Sequence, residues 1–355
     1  MLMPITKNTS PKTKPDQNNL GFGQYFTDHM FLMEYEKNKG WINPCIVPYA
    51  PLMIDPASMV LHYGQEVFEG LKTYRASDGE LQLFRAIDNV RRFNNSNRRI
   101  SIPVIDEDMF MNAIIQLLLV DSDWVPELPG TSLYIRPFII ATDPFLGVKS
   151  SDKFLFIIIL SPVGSYYSGG MSPTKILIED EDVRAVRGGI GDVKAGANYA
   201  ATIRAQERAK LKGFTQVLWL DAIERKYIEE VGTSNVFFVI DGTVITPPLG
   251  GSILPGITRD SCLKLLRSWD APVEERQISI DEVIAASEGG RLDEAFASGT
   301  AAVISPIGEL TYRERNCLIR QNAVGPISQK LYDTLTGIQS GRLHDPFGWV
   351  TKVKQ

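Results

Sequence analysis

The sequence predicts an α+β protein built from two domains. Four observations carry that expectation. The chain has 355 residues, 44 % hydrophobic and 22 % charged, which is more than one small domain uses and enough for two cores. Two apolar runs are folded around Asp-Gly pairs, Asp78-Gly79 and Asp241-Gly242, the turn chemistry of antiparallel hairpins. Helical patterns are interspersed among such hairpins, where a doubly wound parallel sheet would alternate strand and helix. Finally, the composition shifts after Val163: GSYYSGGMSP, from Gly164 to Pro173, has three glycines and no periodic apolar pattern.

These observations divide the chain into a flexible polar tail (1–19), a smaller domain (20–163), an interdomain loop (164–173) and a larger domain (174–355). In the first domain, VFEGLKTYR and ELQLFR flank ASDG as a hairpin. AIDNVRRFNNSNRR reads as a basic amphipathic helix and EDMFMNAIIQLLLV as a second. SLYIRPFIIAT and FLFIIILSPVG are strands, the latter buried. After the loop come strand KILIED, a helix from about Ala200 to Lys212 stopped by Gly213, and strand QVLWLDA. NVFFVI-DG-TVITPP is the second hairpin, LPGITRDSCLKLLRSW opens a helix, and DEAFASGTAAVISPIGEL returns to strand.

Composition excludes several function classes. A net charge of −5 leaves no basic footprint for nucleic acid or an anionic membrane. No apolar run approaches the ~18 residues of a membrane span. Cys45, Cys262 and Cys317 are far apart, as are His29, His62 and His344, so neither a disulfide framework nor a metal centre is expected. The tail lacks the apolar core of a secretory signal, which points to the cytoplasm.

The stretch GDVKAGANYAATIRAQERAK, Gly191 to Lys210, sets small or polar residues around Lys194. A solvated surface lysine is the plain reading. A phosphate-cradling loop fails in detail, because neither G-x-x-x-x-G-K-[ST] nor G-x-G-x-x-G fits Gly188 to Gly196. A lysine that forms an imine with a carbonyl cofactor needs a deprotonated amine and close approach of a ring, which small neighbours permit. Pyridoxal phosphate would also demand an acid for its ring nitrogen, a donor for its phenolic oxygen and an anion cradle. Candidates for each exist: EEVGTSN (Glu229 to Asn235) for the acid, Tyr199 about one helical turn beyond Lys194 for the donor, and ILPGITRDS for the cradle. In the last, Gly256, Ile257 and Thr258 open a helix. ASGTAAV offers a second small-residue turn with Thr300, and Arg85 at the end of ELQLFR offers a fixed charge. Each has a plain alternative, a solvated acid or an ordinary helix entry, and Arg85 has Asp88 or Glu80 as ion-pair partners; their joint presence is what points to a cofactor.

With FGQYFTDHM, HYGQEVFEGLKTYR, LFR, LYIRPF, GDVKAGANYAA, QVLWLDA, EEVGTSNVFFV, LPGITRDS and SGTAAVISP in this order, the chain resembles the branched-chain amino acid aminotransferases of the fold type IV pyridoxal phosphate enzymes, from Phe22 to Pro306. The resemblance implies that Lys194 carries the cofactor as an imine and that Glu230, not Glu229, faces the pyridine nitrogen. It implies Tyr199 on the phenolic oxygen, and Arg85, Ile257, Thr258 and Thr300 at the phosphate. Leu254 would pack on the ring and Thr233 would stand beside cofactor and substrate.

On the substrate side the resemblance implies an aromatic pocket of Phe26, Tyr63, Phe68, Tyr134 and Tyr166 for Val, Leu and Ile side chains. In LYIRPF the period of two points Tyr134 and Arg136 to one face. Arg136 is then the partner for the second carboxylate of glutamate or 2-oxoglutarate, and the Thr300 and Ala301 amides would take the α-carboxylate. An active site between the domains, ping-pong transamination and a homodimer sharing Tyr63 are also implied. Vertebrate members carry Cys-x-x-Cys where this chain has Ala302 and Ser305, so no thiol switch is expected there. The alternatives are a D-amino acid aminotransferase, an aminodeoxychorismate lyase, or a catalytically silent ligand-binding protein of the same fold.

Overall fold

The computed structural model describes residues 3–164 and 171–354. The chain forms two compact units: Met1–Ser168 with Lys194–Gly196 and Gly337–Gln355, and Gly169–Val193 with Ala197–Thr336. Both mix helix and sheet.

The first unit contains β1 (His29–Glu36), β2 (Gly40–Pro48), α1 (Met59–Tyr63), β3 (Glu66–Phe68), β4 (Leu71–Arg75), β5 (Leu81–Phe84), α2 (Ala86–Arg99), α3 (Glu107–Val120), β6 (Ser132–Ala141) and β7 (Lys153–Val163). The second contains β8 (Thr174–Glu179), α4 (Gly196–Ala200), α5 (Ile203–Leu211), β9 (Gln216–Leu220), β10 (Ile228–Val231), β11 (Ser234–Ile240), β12 (Thr243–Thr246), α6 (Ile257–Ser268), β13 (Val273–Glu275), α7 (Ile280–Glu288), β14 (Leu292–Gly299), β15 (Val303–Tyr312) and β16 (Arg315–Leu318). Then follow α8 (Pro326–Gln339) and β17 (Val350–Lys352), the latter back in the first unit.

The first sheet runs β17-β5-β4-β6-β7-β1-β2, with β3 also on β6, and every pairing is antiparallel. The helices α2 and α3 cover one face. Alternation along the strands decides which residues meet them: Leu133, Ile135 and Ile139 of β6 and Phe156 and Ile158 of β7 join Val90, Phe93, Phe110 and Leu117 in one core. The intervening residues, Tyr134, Arg136 and Phe138 on β6 and Glu66 and Phe68 on β3, take the opposite face. Asp106 caps α3 through the Met109 amide, as an acidic N-cap should.

Residues 1–19, expected as a flexible tail, are instead tied to the first unit by hydrogen bonds at several points, although most of them stay exposed. Met3 is buried in the core, and the Thr6 amide and the Pro4 carbonyl bond to the Ile46 backbone at 2.9 Å each. Strand β2 is the edge of its sheet, and this segment takes up the open backbone groups of Ile46 there. The other edge is covered by β17, where Val350 pairs with Phe84. Residues 337–355 therefore belong with the first unit, not with the second as expected, because their backbone completes the first sheet.

In the second unit a mixed sheet runs β10-β9-β8-β15-β14-β11-β12-β13, with β16 on β15. Val217 and Trp219 pack on Ala205 and Ala209 of α5, while Leu218 and Leu220 join Ile280, Val283 and Ile284 of α7 on the other face. The β11–β12 hairpin has its Asp-Gly turn in the left-handed region at both positions, φ 50° and 75°, which fits the twist of the two strands.

Candidate active site

The first unit builds one cluster around Lys194. Its carbonyl accepts the Phe68 amide at 3.0 Å, its own amide donates to Ser96 Oγ at 3.0 Å, and Ala195 bridges Val67. Lys194 thus lies beside β3 and ahead of the helix that carries Tyr199, since α4 starts at Gly196. Its Nζ lies 4.9 Å from the centre of the Phe68 ring, and the Arg136 guanidinium carbon lies 4.7 Å from the same ring. Arg136 Nη2 donates to Tyr134 Oη at 3.1 Å, and Phe22 meets the Tyr134 ring edge-on at 5.0 Å. The expected alternation is realised here: Tyr134, Arg136 and Phe68 form one surface with two cations about one aromatic ring, suited to a ligand with a carboxylate on an apolar chain.

The small residues near Lys194 have a cause in the protein itself. A Cβ on Gly196 would sit 1.6 Å from Glu66 Oε1, and one on Gly191 would sit 2.5 Å from the Ser252 carbonyl oxygen. Protein atoms occupy those places, so the glycines admit close packing rather than clearing space for a ring. Gly70 has the same role for Tyr134, whose Oη would lie 1.8 Å from its Cβ. Behind the cluster, Glu69 and Arg92 form a buried two-point ion pair at 2.6 and 2.9 Å. Burial works against the Glu69 charge, but Arg92, and Lys194 beyond it, hold the carboxyl below its ordinary range. For Glu66 burial prevails over Arg136 and raises the carboxyl.

Arg85 stands at the head of α2 in the left-handed region, φ 51°, its Nε on Asp88 Oδ2 at 2.7 Å and its guanidinium over the Trp349 ring. Of the two partners the sequence offered, Asp88 and Glu80, Asp88 is the one bonded here. Phe26 stacks on Tyr49 with centroids 5.2 Å apart. Tyr63 is not part of the Lys194 cluster; it is exposed, with its Oη bonded to the Leu146 carbonyl, and Leu61, Phe145 and Leu146 are exposed as well. Tyr166 lies outside the described residues.

In the second unit a small hollow is lined by Arg184, Val193, Asn198, Tyr199, Thr202, Glu230, Thr233 and Leu254. Strand alternation along β10 places Glu230 here and turns Glu229 away, where it accepts Ser252 Oγ at 2.5 Å. Burial raises the Glu229 carboxyl despite that bond. Glu230 is fixed from several sides: the Leu254 amide and Asn235 Nδ2 reach Oε1 at 3.1 and 3.3 Å, and Arg184 pairs with Oε2 at 2.9 Å. Arg184 in turn donates to the Gly191 and Ser252 carbonyls. Arg184, Asn198 and Asn235 were missed by sequence reasoning; no local pattern marks a residue whose partner is brought in by the fold. Ile257 and Thr258 open α6 behind Gly256, an N-cap that brings no side chain to the first turn. Thr300 and Ala301 form the turn between β14 and β15, closed by Val303 at φ 62°, a costly conformation for a β-branched residue.

A fixed carboxylate, a phenol and a leucine around one hollow fit a heteroaromatic ring with a protonated nitrogen and a phenolic oxygen. Val193 lines the hollow and Lys194 is the next residue of the chain. Among the described residues no group of three or more His, Cys, Asp or Glu is placed to hold a metal, and no helix is long and apolar enough to cross a membrane.

Comparison with known proteins places the chain in a family. A profile of the amino-transferase class IV family matches residues 66–310. The chain belongs to that family, and its fold is that of the fold type IV aminotransferases. Within it, the chain stands with the branched-chain-amino-acid aminotransferases. Branched-chain-amino-acid aminotransferase 2 of Bacillus subtilis is 56 % identical over 349 residues, covering 98 % of this chain and 96 % of that one. The structure of the branched-chain amino acid aminotransferase of Escherichia coli aligns with a TM-score of 0.77 at 26 % identity, covering 92 % of this chain and 99 % of that one. That of Thermobaculum terrenum, solved in its PLP-form, aligns at 0.74 and 26 %, covering 92 % and 98 %.

Proposed function

We propose that the chain transfers the amino group between L-leucine, L-isoleucine or L-valine and 2-oxoglutarate, with pyridoxal 5′-phosphate as cofactor. The observation that carries this reading is the acid–phenol hollow ending at Val193, with the amine of Lys194 next in the chain, in a protein more than half identical to a branched-chain-amino-acid aminotransferase. When bound, the cofactor supplies a carbonyl for the substrate amine and a ring that accepts the electron pair left at Cα.

The chain's own groups do the rest. Lys194 holds the cofactor at rest and, once freed, takes the proton from the substrate's Cα as a general base. Glu230, oriented by Arg184, Asn235 and the Leu254 amide, would hold a proton on the ring nitrogen. Tyr199 donates to the phenolic oxygen, and Leu254 and Thr233 bound the ring. Arg85, the Ile257 and Thr258 amides at the head of α6, and Thr300 are the groups for the phosphate.

Phe26, Phe68 and Tyr134 present the apolar wall, worth roughly 1.5–3 kcal/mol for a fully buried aliphatic side chain. Arg136 takes the distal carboxylate of glutamate, and the Thr300 and Ala301 amides take the α-carboxylate. The exposed patch at Leu61, Tyr63, Phe145 and Leu146 is the surface on which a second copy would dock, giving a homodimer. Three unpaired cysteines fit a reducing cytoplasm.

The test is a set of initial rates with 2-oxoglutarate as acceptor and added pyridoxal phosphate. L-leucine, L-isoleucine and L-valine are turned over, and D-alanine at least about 100-fold more slowly. Preference for D-alanine, or no turnover of the three L-amino acids, overturns the assignment.

A further inference from the structure

The N-terminal segment does more than cover a sheet edge. Lys12 reaches from it to the loop that presents Phe26. Its Nζ donates to the Phe26 carbonyl at 3.2 Å and to the Thr27 carbonyl at 2.8 Å. The same ammonium stands 4.1 Å from the centre of the Tyr49 ring, and Tyr49 is the ring on which Phe26 stacks, with planes 8° apart. The Lys12 amide donates to Asp28 Oδ1 at 2.8 Å.

Asp28 is itself anchored. Its Oδ1 also takes Asn8 Nδ2 at 3.1 Å, its Oδ2 takes Trp124 Nε1 at 2.9 Å, and its carbonyl accepts the Tyr49 amide at 2.9 Å. Next to it, His29 Nδ1 meets Asp121 Oδ1 at 2.6 Å while His29 Nε2 accepts the Asn8 amide at 2.8 Å. Strand β7 holds the loop from the other side, through the Thr27 amide and the Leu160 carbonyl at 3.1 Å. The segment is therefore tied down at Asn8 and again at Lys12, and the second tie is a charged donor aimed at the main chain of Phe26.

We propose that Lys12 is a positioning residue for substrate choice: it fixes the main chain and the ring of Phe26, and thereby the width of the apolar wall offered to a branched side chain. The inference rests on the reading of Phe26 as part of that wall. One cation does both tasks. Charge-assisted bonds to two consecutive carbonyls fix the backbone, and attraction to the Tyr49 face keeps that ring parallel to Phe26. Arg136 is held by Tyr134 and Phe68 instead, without Lys12. A weakened Lys12 tie must therefore show on leucine before it shows on glutamate.

The experiment compares holoenzyme variants Lys12→Met, Lys12→Arg and Phe26→Ala for kcat and KM with L-leucine and with L-glutamate. Methionine keeps the apolar stem and loses the charge. Lys12→Met is expected to raise KM for leucine about five- to twentyfold with kcat within about twofold, and to leave KM for glutamate within about twofold. Lys12→Arg, which keeps a charged donor, is expected to restore most of the leucine KM. Equal kcat losses for both substrates, with no recovery in Lys12→Arg, would mean a merely structural tie and overturn the proposal. A wild-type leucine KM in Lys12→Met, beside a clear leucine defect in Phe26→Ala, overturns the role of Lys12 while leaving Phe26 in the wall. No leucine defect in Phe26→Ala removes Phe26 from the wall and the proposal with it.

Discussion

Lys72 lies buried near the start of β4, paired across the strands with Tyr134 and so on the same face of the sheet. Burial pulls its ammonium down from 10.5 to about 8. Because the folded value lies below the unfolded one, folding disfavours the charged form. The cost is fully present below about pH 8, shrinks as pH rises, and is gone above about 10.5, where both states are neutral. At about 1.4 kcal/mol per pH unit the whole displacement amounts to roughly 3 kcal/mol. Lys72→Met fills similar space without a charge. It is expected to be more stable than the parent at pH 7 by up to about 3 kcal/mol, less what the lysine's polar contacts contribute. At about 2–4 °C per kcal/mol for a unit of this size, Tm rises by up to about 10 °C. Urea melts of both proteins at half-unit steps from pH 7 to 10.5 read the difference directly, and groups shared by the two proteins cancel. The advantage of the variant must decay across that window. A constant difference, or a variant less stable at pH 7 and no different in trend, would refute the reasoning.

Two further perturbations separate structure from substrate binding. Glu69→Gln leaves the Arg92 charge buried without its partner and should cost about 3–5 kcal/mol by denaturant melts, whereas replacing both residues by apolar ones recovers most of it. Since the Glu69 carboxyl is held below its ordinary range, the parent keeps this contribution at neutral pH and loses it only as pH falls below that range. Gly70→Ala puts a methyl 1.8 Å from the resting place of Tyr134 Oη. The displaced ring releases Arg136, so KM for 2-oxoglutarate should rise about tenfold, with a smaller change for leucine, in steady-state assays.

Where local rules decide, the sequence was readable. The helices α2 and α3 span the residues their apolar spacing selects, α3 with an Asp106 cap, and the two Asp-Gly pairs turn the hairpins they signal. The alternation in LYIRPF placed Tyr134 and Arg136 together, as the hydrogen bond between them shows. What was not readable depends on partners distant in the chain. The tail became an edge cover because β2 leaves backbone groups open beside it, and β17 is a strand only because β5 is there to pair with it. Lys194 was expected one helical turn from Tyr199; a backbone bond to Phe68 of β3 holds it just ahead of α4, which starts at Gly196. Arg184 carries no motif of its own and is recognised only through the carboxylate it meets. The glycines near Lys194 pointed to a site, but for a reason that only the packing of Glu66 and Ser252 supplies.

The most direct test of the account is an absorption spectrum of the protein with pyridoxal phosphate, before and after L-leucine, for the parent and for Lys194→Ala. The parent should show a band near about 410–430 nm that moves to about 330 nm as leucine gives up its amino group, and Lys194→Ala should bind the cofactor without making that conversion at a comparable rate. A parent that stays colourless with added cofactor, or a Lys194→Ala variant that converts leucine as fast as the parent, would contradict it.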